Sequence, residues 1–207
     1  MSVETWYRYT FREKHFSIAL PNTWTLMETD PKHIEKFTSI FLAEQAGVFP
    51  HIAENLEEIK RQLEFLLKNL KGMKVELFAL QGLVDDENVI HFADVTVSRF
   101  PYAKEYSSIQ NVEKLLKEKE KSELVSIEEI KSQIGNVIHI REFTTVEMEN
   151  EDIKACTNQF LIPVSKENNI YSITFSTWNV DDAMLFEPSF FQIVNTFKRM
   201  SPEKIGH

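Results

Sequence analysis

The chain has 207 residues, of which 43% are hydrophobic, and a formal net charge of -9 from 32 acidic and 23 basic side chains. That length is enough to bury a core, and the charge argues against a nucleic-acid surface, which needs clustered Lys and Arg to neutralise phosphates. With 5 Gly and 7 Pro in all, no Gly-, Ser- or Pro-rich linker divides the chain, so residues 1–207 are expected to form a single domain.

Residues 1–10 hold no basic segment followed by an apolar run, and no stretch approaches the roughly 20 apolar residues of a membrane span. A soluble cytoplasmic protein with no membrane partner is the expectation. Residues 5–11 are rich in aromatic and β-forming types, and Phe16, Ile18 and Leu20 alternate with other residues, so the chain opens with two strands. Pro21 ends the second, and Trp24 and Leu26 continue after the turn with Trp24 packed inward. Asp30-Pro31 reads as a cap followed by proline at the first helical position. Ile34, Phe37, Ile40 and Phe41 give that helix its apolar face, and Gly47 closes it.

After Pro50 the most regular helix of the chain runs through Ile52, Leu56, Ile59, Leu63, Leu66 or Leu67, and Leu70 at steps of four and three, up to the Lys71-Gly72 stop. The segment 31–71 is therefore helical, set between the N-terminal strands and the main sheet. Its stripe is expected to cover a sheet; a homodimer seam from Ile52 to Leu70 is the alternative. Residues 73–83 and 89–99 read as a hairpin with an acidic tip at Asp85, Asp86 and Glu87; Asp94 within the second run means either that this face is wet, the reading adopted, or that Asp94 pairs with another group. Ser108 caps a helix over 109–121, with Ile109, Val112, Leu115 and Leu116 on its buried side.

Residues 125–134 fit helical spacing at Ile127, Ile130 and Ile134, but Gly135-Asn136 fits a hairpin, and strand is the reading adopted. Residues 137–148 and 153–164 are two long β runs across the acidic turn of Glu149, Asn150, Glu151 and Asp152. Tyr171, Ile173 and Phe175 alternate with Ser172, Thr174 and Ser176, the pattern of a strand with one face in a core. Asp181 and Asp182 break it. Phe186, Phe190, Ile193, Val194 and Phe197 then share one helical stripe, with Pro188 in the first turn and Lys198 and Arg199 at the negative end.

Little in the sequence points to chemistry. The glycines are too far apart to hold a phosphate, and the six histidines are scattered singly, so neither a nucleotide cofactor nor a metal is expected. His91 and His139 are the pair that distant strands could bring together. Cys156 stands alone, carries no nucleophile signature and reads as a small buried hydrophobe. The adjacent acids Glu57-Glu58, Glu128-Glu129 and Asp181-Asp182 point apart rather than at a shared substrate.

The opening run from Phe16 to Trp24 (FSIALPNTW) resembles the strand, proline turn and tryptophan with which domains of the Mog1/PsbP-like superfamily begin. Ile170 to Phe175 and Phe190 to Phe197 are similar to the last strand and helix of that group. The resemblance extends to small uncharacterised proteins of Gram-positive bacteria, some of them encoded near type VII secretion genes. It implies an α+β fold, an α/β/α sandwich in which an antiparallel sheet of six or seven strands carries helices on both faces. It assigns no functional residue, because the matching positions are core positions.

These observations set the expectation of a non-enzymatic protein-interaction module, an accessory, chaperone-like or immunity factor in a bacterial secretion or toxin system. Its partner would be another protein, of basic charge, met by Asp85, Asp86, Glu87, Glu149, Glu151 and Asp152. Two alternatives stand beside it. One is a small-ligand carrier with an apolar cavity between sheet and helix; the other is an enzyme whose site converges only in three dimensions.

Overall fold

The computed structural model describes residues 5–200 apart from 14, 29, 31, 48–52, 54–55, 73–74, 85–89, 104–105, 107, 118–121, 148–151, 165–167 and 178–179. The first strands, β1 (Trp6–Phe11) and β2 (Phe16–Pro21), pair antiparallel, with Phe11 opposite Phe16. After the turn the chain enters a second sheet through β3 (Trp24–Leu26), where Trp24 is buried and packs edge-on to Phe175. Two helices follow, α1 (Ile34–Ala46) and α2 (Leu56–Gly72), which pack on each other. Next come the long strands β4 (Val75–Val84) and β5 (Ile90–Pro101), then α3 (Ile109–Lys117).

A four-stranded meander completes the main sheet: β6 (Ser122–Ser132), β7 (Gly135–Glu147), β8 (Asp152–Val164) and β9 (Asn169–Thr177). Residues 125–132 are therefore strand. Gly135, at φ 115, takes the left-handed backbone that the β6–β7 turn requires and that a side chain would strain. The antiparallel seven-stranded sheet runs β3-β4-β5-β9-β8-β7-β6. Helix α4 (Ala183–Thr196) lies on one face, and a short strand, β10 (Lys198–Arg199), returns to pair with β2.

The layers follow from alternation. Ala93, Val95 and Val97 of β5, Phe160 and Ile162 of β8, and Tyr171, Ile173 and Phe175 of β9 share a core with α4 and with Phe16, Ile18 and Leu20 of β2. Phe175 stacks on Phe190 at 4.3 Å between ring centroids, and Phe16 stacks on Phe197 at 5.7 Å. Residues of opposite parity face the other helices. Phe78 meets Ile34, Leu67 and Leu70 of α1 and α2, while Ile138, Ile140 and Leu161 meet Val112 and Leu116 of α3. The result is an α+β sandwich with helices on both faces of an antiparallel sheet.

Several local expectations are corrected. β1 and β2 pair with β10, a strand the sequence pattern did not show, in a separate three-stranded sheet. Lys198 and Arg199 accordingly leave the helix end, because Phe197 (φ -59, ψ 132) turns the chain into the extended conformation of β10. Arg8 takes that role instead, donating from Nη1 to Thr196 O at 3.0 Å. Pro188 lies within α4, whose first turn forms earlier, where Asp182 O accepts the N–H of Phe186.

α1 begins at Ile34, after a turn in which Asp30 Oδ1 accepts the N–H of Lys32 at 3.1 Å rather than capping the helix. Its buried line is Ile34, Thr38 and Leu42, with Ile40 52% exposed, since contact with α2 and Phe78 leaves room for one face only. α3 buries Val112 and Leu116, four apart, and turns Leu115 outward at 36% exposure. Ser108 Oγ does cap α3, accepting the N–H of Asn111 at 3.4 Å. Residues 118–121, expected to continue α3, lie outside the described residues.

Candidate functional site

Among the described residues, two places gather buried or half-buried polar side chains, one on each face of the main sheet. Under α4, the β7 residue His139 is buried between rings, stacked on Phe160 at 4.4 Å and edge-on to Phe191 at 5.2 Å. Its Nδ1 lies 3.1 Å from Glu128 Oε1, and its Nε2 lies 3.0 Å from Asn158 Oδ1. Asn158 Nδ2 in turn donates to Cys156 Sγ at 3.8 Å. Beside them Arg141 pairs with Glu187 of α4 at 3.4 Å. Cys156 is 0% exposed. Burial pushes its thiol above the ordinary range; a hydrogen bond from Arg141 and the guanidinium charge oppose the rise, and Glu187 adds to it.

The opposite face is different. Helix α2 packs on β4 and helix α3 on β6, so the helices press on strands at and beside the two edges of the sheet. The strands between them carry a polar band. Asp94 and Thr96 of β5 stand opposite Ser176 and Thr174 of β9, which in turn stand opposite Thr157 and Gln159 of β8. Ser98 and Ser172 extend the band by one row. All but Ser172 are half-buried. Gln159 Nε2 donates to Ser172 Oγ at 2.8 Å, and Ser172 and Thr174 hydroxyls lie 3.2 Å apart. At the α3 end this band runs into an apolar recess of about 350 Å³ lined by Phe100, Tyr106, Leu115, Leu116, Leu161 and Gln159, among others.

Asp85, Asp86, Glu87, Glu149 and Glu151 lie outside the described residues, and Asp152 opens β8 opposite Glu147. His91 and His139 do not converge: β9 and β8 separate their strands, placing the backbones roughly 14 Å apart at the usual strand spacing. Among the described residues no group of three or more His, Cys, Asp and Glu is arranged to hold a metal ion. Leu67 and Leu70, the C-terminal part of the stripe considered as a dimer seam, are buried within the chain against Ile34 and Phe78.

No family model matches the chain, and no curated protein matches it either. Among solved structures it is similar to cyanobacterial PsbP (CyanoP) from Synechocystis sp. PCC 6803, at 10% identity, with 96% of this chain and 94% of that one covered and a TM-score of 0.45. A structure from Bacteroides thetaiotaomicron VPI-5482 is 14% identical over 60% of this chain and 45% of its own, with a TM-score of 0.29. At these identities and scores neither transfers an activity, a ligand or a partner.

The two interior sites differ in what they can do. A fully buried thiol held protonated is a poor nucleophile, so the Glu128–His139–Asn158–Cys156 series ties β6, β7 and β8 together beneath α4. The polar band and its recess are partly open, and they join hydrogen-bonding groups to an apolar wall, the combination found in small-molecule sites. In the sequence Ser172, Thr174 and Ser176 are legible only as the residues alternating with the core positions of β9. That they meet Thr96, Thr157 and Gln159 depends on the order β5-β9-β8, which no local pattern encodes.

Proposed function

We propose that the protein is a non-catalytic binding module. The single observation that carries this reading is the burial of Cys156, the strongest potential nucleophile, at 0% exposure with its thiol pushed up. In the cytoplasm it would act by contact with another protein, as an accessory, chaperone-like or immunity factor of a bacterial secretion or toxin system. The net charge of -9 favours a basic partner, whose encounter would weaken as salt shortens the Debye length to about 8 Å. The test is to identify the partner by crosslinking in the native cell and then measure its affinity at low and high salt. Charge reversal at Asp85, Asp86, Glu149 and Glu151 should weaken low-salt binding by about tenfold or more, a loss of about 1.4 kcal/mol. Unchanged affinity would dismiss both acidic turns as the contact.

A second reading, a small-ligand carrier, is favoured by the apolar recess between α3 and the sheet. Its volume of about 350 Å³ lies within the roughly 300–1,000 Å³ typical of ligand sites. Titration with an apolar fluorescent probe, monitored for displacement by small hydrocarbons, tests this reading directly.

A further inference from the structure

The seam between β3 and β4 holds two buried polar groups whose hydrogen-bonding needs are complementary and unmet. Trp24 is 3% exposed and Gln81 8% exposed, and they stand directly opposite each other across the two strands, so their side chains leave the sheet on the same face. Among the described residues the indole Nε1 of Trp24 has no hydrogen-bonding partner, and neither has Oε1 of Gln81. They do not bond each other. Such groups are rare in protein interiors, because each gives up its hydrogen bonds to solvent when the chain folds.

Their chemistry selects what joins them. An indole N–H only donates, and an amide oxygen only accepts. An anion would suit the first and be repelled by the second, and a cation the reverse. The group that satisfies both is neutral and both accepts and donates at one atom, which describes a water molecule.

The surroundings supply the room. Ala93 stands opposite Gln81 on β5 and Ala79 lies two residues before it on β4, both 0% exposed, so the smallest side chains flank the glutamine on this face. Phe175 packs edge-on to the Trp24 ring at 6.2 Å and holds the indole in place. Strand β3 itself has three residues and forms one edge of the seven-stranded sheet, so its backbone pairing alone is a short attachment.

We infer that one buried water is bound between Trp24 and Gln81, accepting from Nε1–H and donating to Oε1, and that this bridge helps to seat β3 on the sheet. The bridge is a binding site for a single small hydroxylic molecule, independent of the partner and carrier readings.

The experiment uses the full chain, labelled with the heavy nitrogen isotope, and reads the indole N–H proton of Trp24, identified by its loss in Trp24→Phe. A bound water gives that proton a dipolar cross-peak to the water resonance, and in the rotating frame the sign of this peak separates it from proton exchange. The peak should be present in the wild-type protein and lost in Gln81→Met, which keeps the length of the side chain and removes the acceptor. The indole proton should move upfield in the same variant as its hydrogen bond goes. A wild-type Trp24 indole with no dipolar peak to water overturns the inference, whether or not any variant folds. A peak that survives in folded Gln81→Met also overturns it, because the water would then be held without the glutamine.

Discussion

Phe190 offers the sharpest test of how α4 is seated. Its ring is 0% exposed, stacks on Phe175 at 4.3 Å with 16° between planes, and lies parallel to Phe186 at 6.4 Å. A phenylalanine buries about 200 Å², and at roughly 25 cal/mol per Å² its transfer is worth about 5 kcal/mol as an upper bound. Truncation to alanine leaves a methyl behind but opens a cavity, so Phe190→Ala should cost about 3–5 kcal/mol. In a chain of this length that lowers the melting temperature by roughly 6–20 °C. Urea unfolding should show a lower midpoint with an unchanged slope, the mark of lost stability rather than a changed unfolded state. The half-buried Phe37 of α1 is the control, and its alanine variant should cost less than Phe190→Ala. A Phe190→Ala loss below about 1 kcal/mol would mean that α4 does not pack on β9 in this register.

Two further outcomes follow from particular contacts. Thr196 Oγ1 accepts the N–H of Ala19 at 2.8 Å and lies 3.1 Å from Ala19 O, so it continues the edge of β2 where β10 stops; the isosteric Thr196→Val should cost about 1–3 kcal/mol in denaturant unfolding, and a neutral result would break that link. Because burial raises the Cys156 thiol in the folded state, the unfolded chain releases that proton first as pH climbs through the ordinary thiol range. The contribution is therefore complete below that range and is lost towards the raised value, so Cys156→Ala should flatten the alkaline fall in stability measured by urea midpoints. Parallel curves for the two proteins would show that the thiol is not linked to folding.

Much of the architecture is legible because the strands alternate in the sequence. Tyr171, Ile173 and Phe175 against Ser172, Thr174 and Ser176 fix both faces of β9, and Gly135 decides β6 in favour of a strand despite the helical spacing of its isoleucines. Helix faces are harder to read. Ile40 and Leu115 are as apolar as their buried neighbours, and their exposure is decided by which single face each helix offers the sheet. The three-stranded sheet was beyond reach for a different reason: two residues, Lys198 and Arg199, join β2 across nearly the whole chain and leave no periodic trace. The same holds for both interior sites. His139 reaches Asn158 from a neighbouring strand, and Thr96, Thr174 and Gln159 come from three strands of which only β8 and β9 are consecutive in sequence.

The polar band also separates folding from binding in a measurable way. Had packing alone shaped that face, its central threonines would be better as valines, which have nearly the same volume and bury a methyl in place of a hydroxyl. Thr96 and Thr174 stand directly opposite each other and are half-buried. Thr96 lies in that row between Phe78, buried against α1 and α2, and Thr174. Replacing both with valine should leave stability unchanged or raise it by up to about 1 kcal/mol, since the substitution favours a strand and covers apolar surface. A ligand site shows that same balance, gaining stability when its polar groups are removed and losing affinity at the same time. If the double variant is instead destabilised by 2 kcal/mol or more, the hydroxyls are structural hydrogen-bonding groups within the sheet. The band would then need no ligand to account for it.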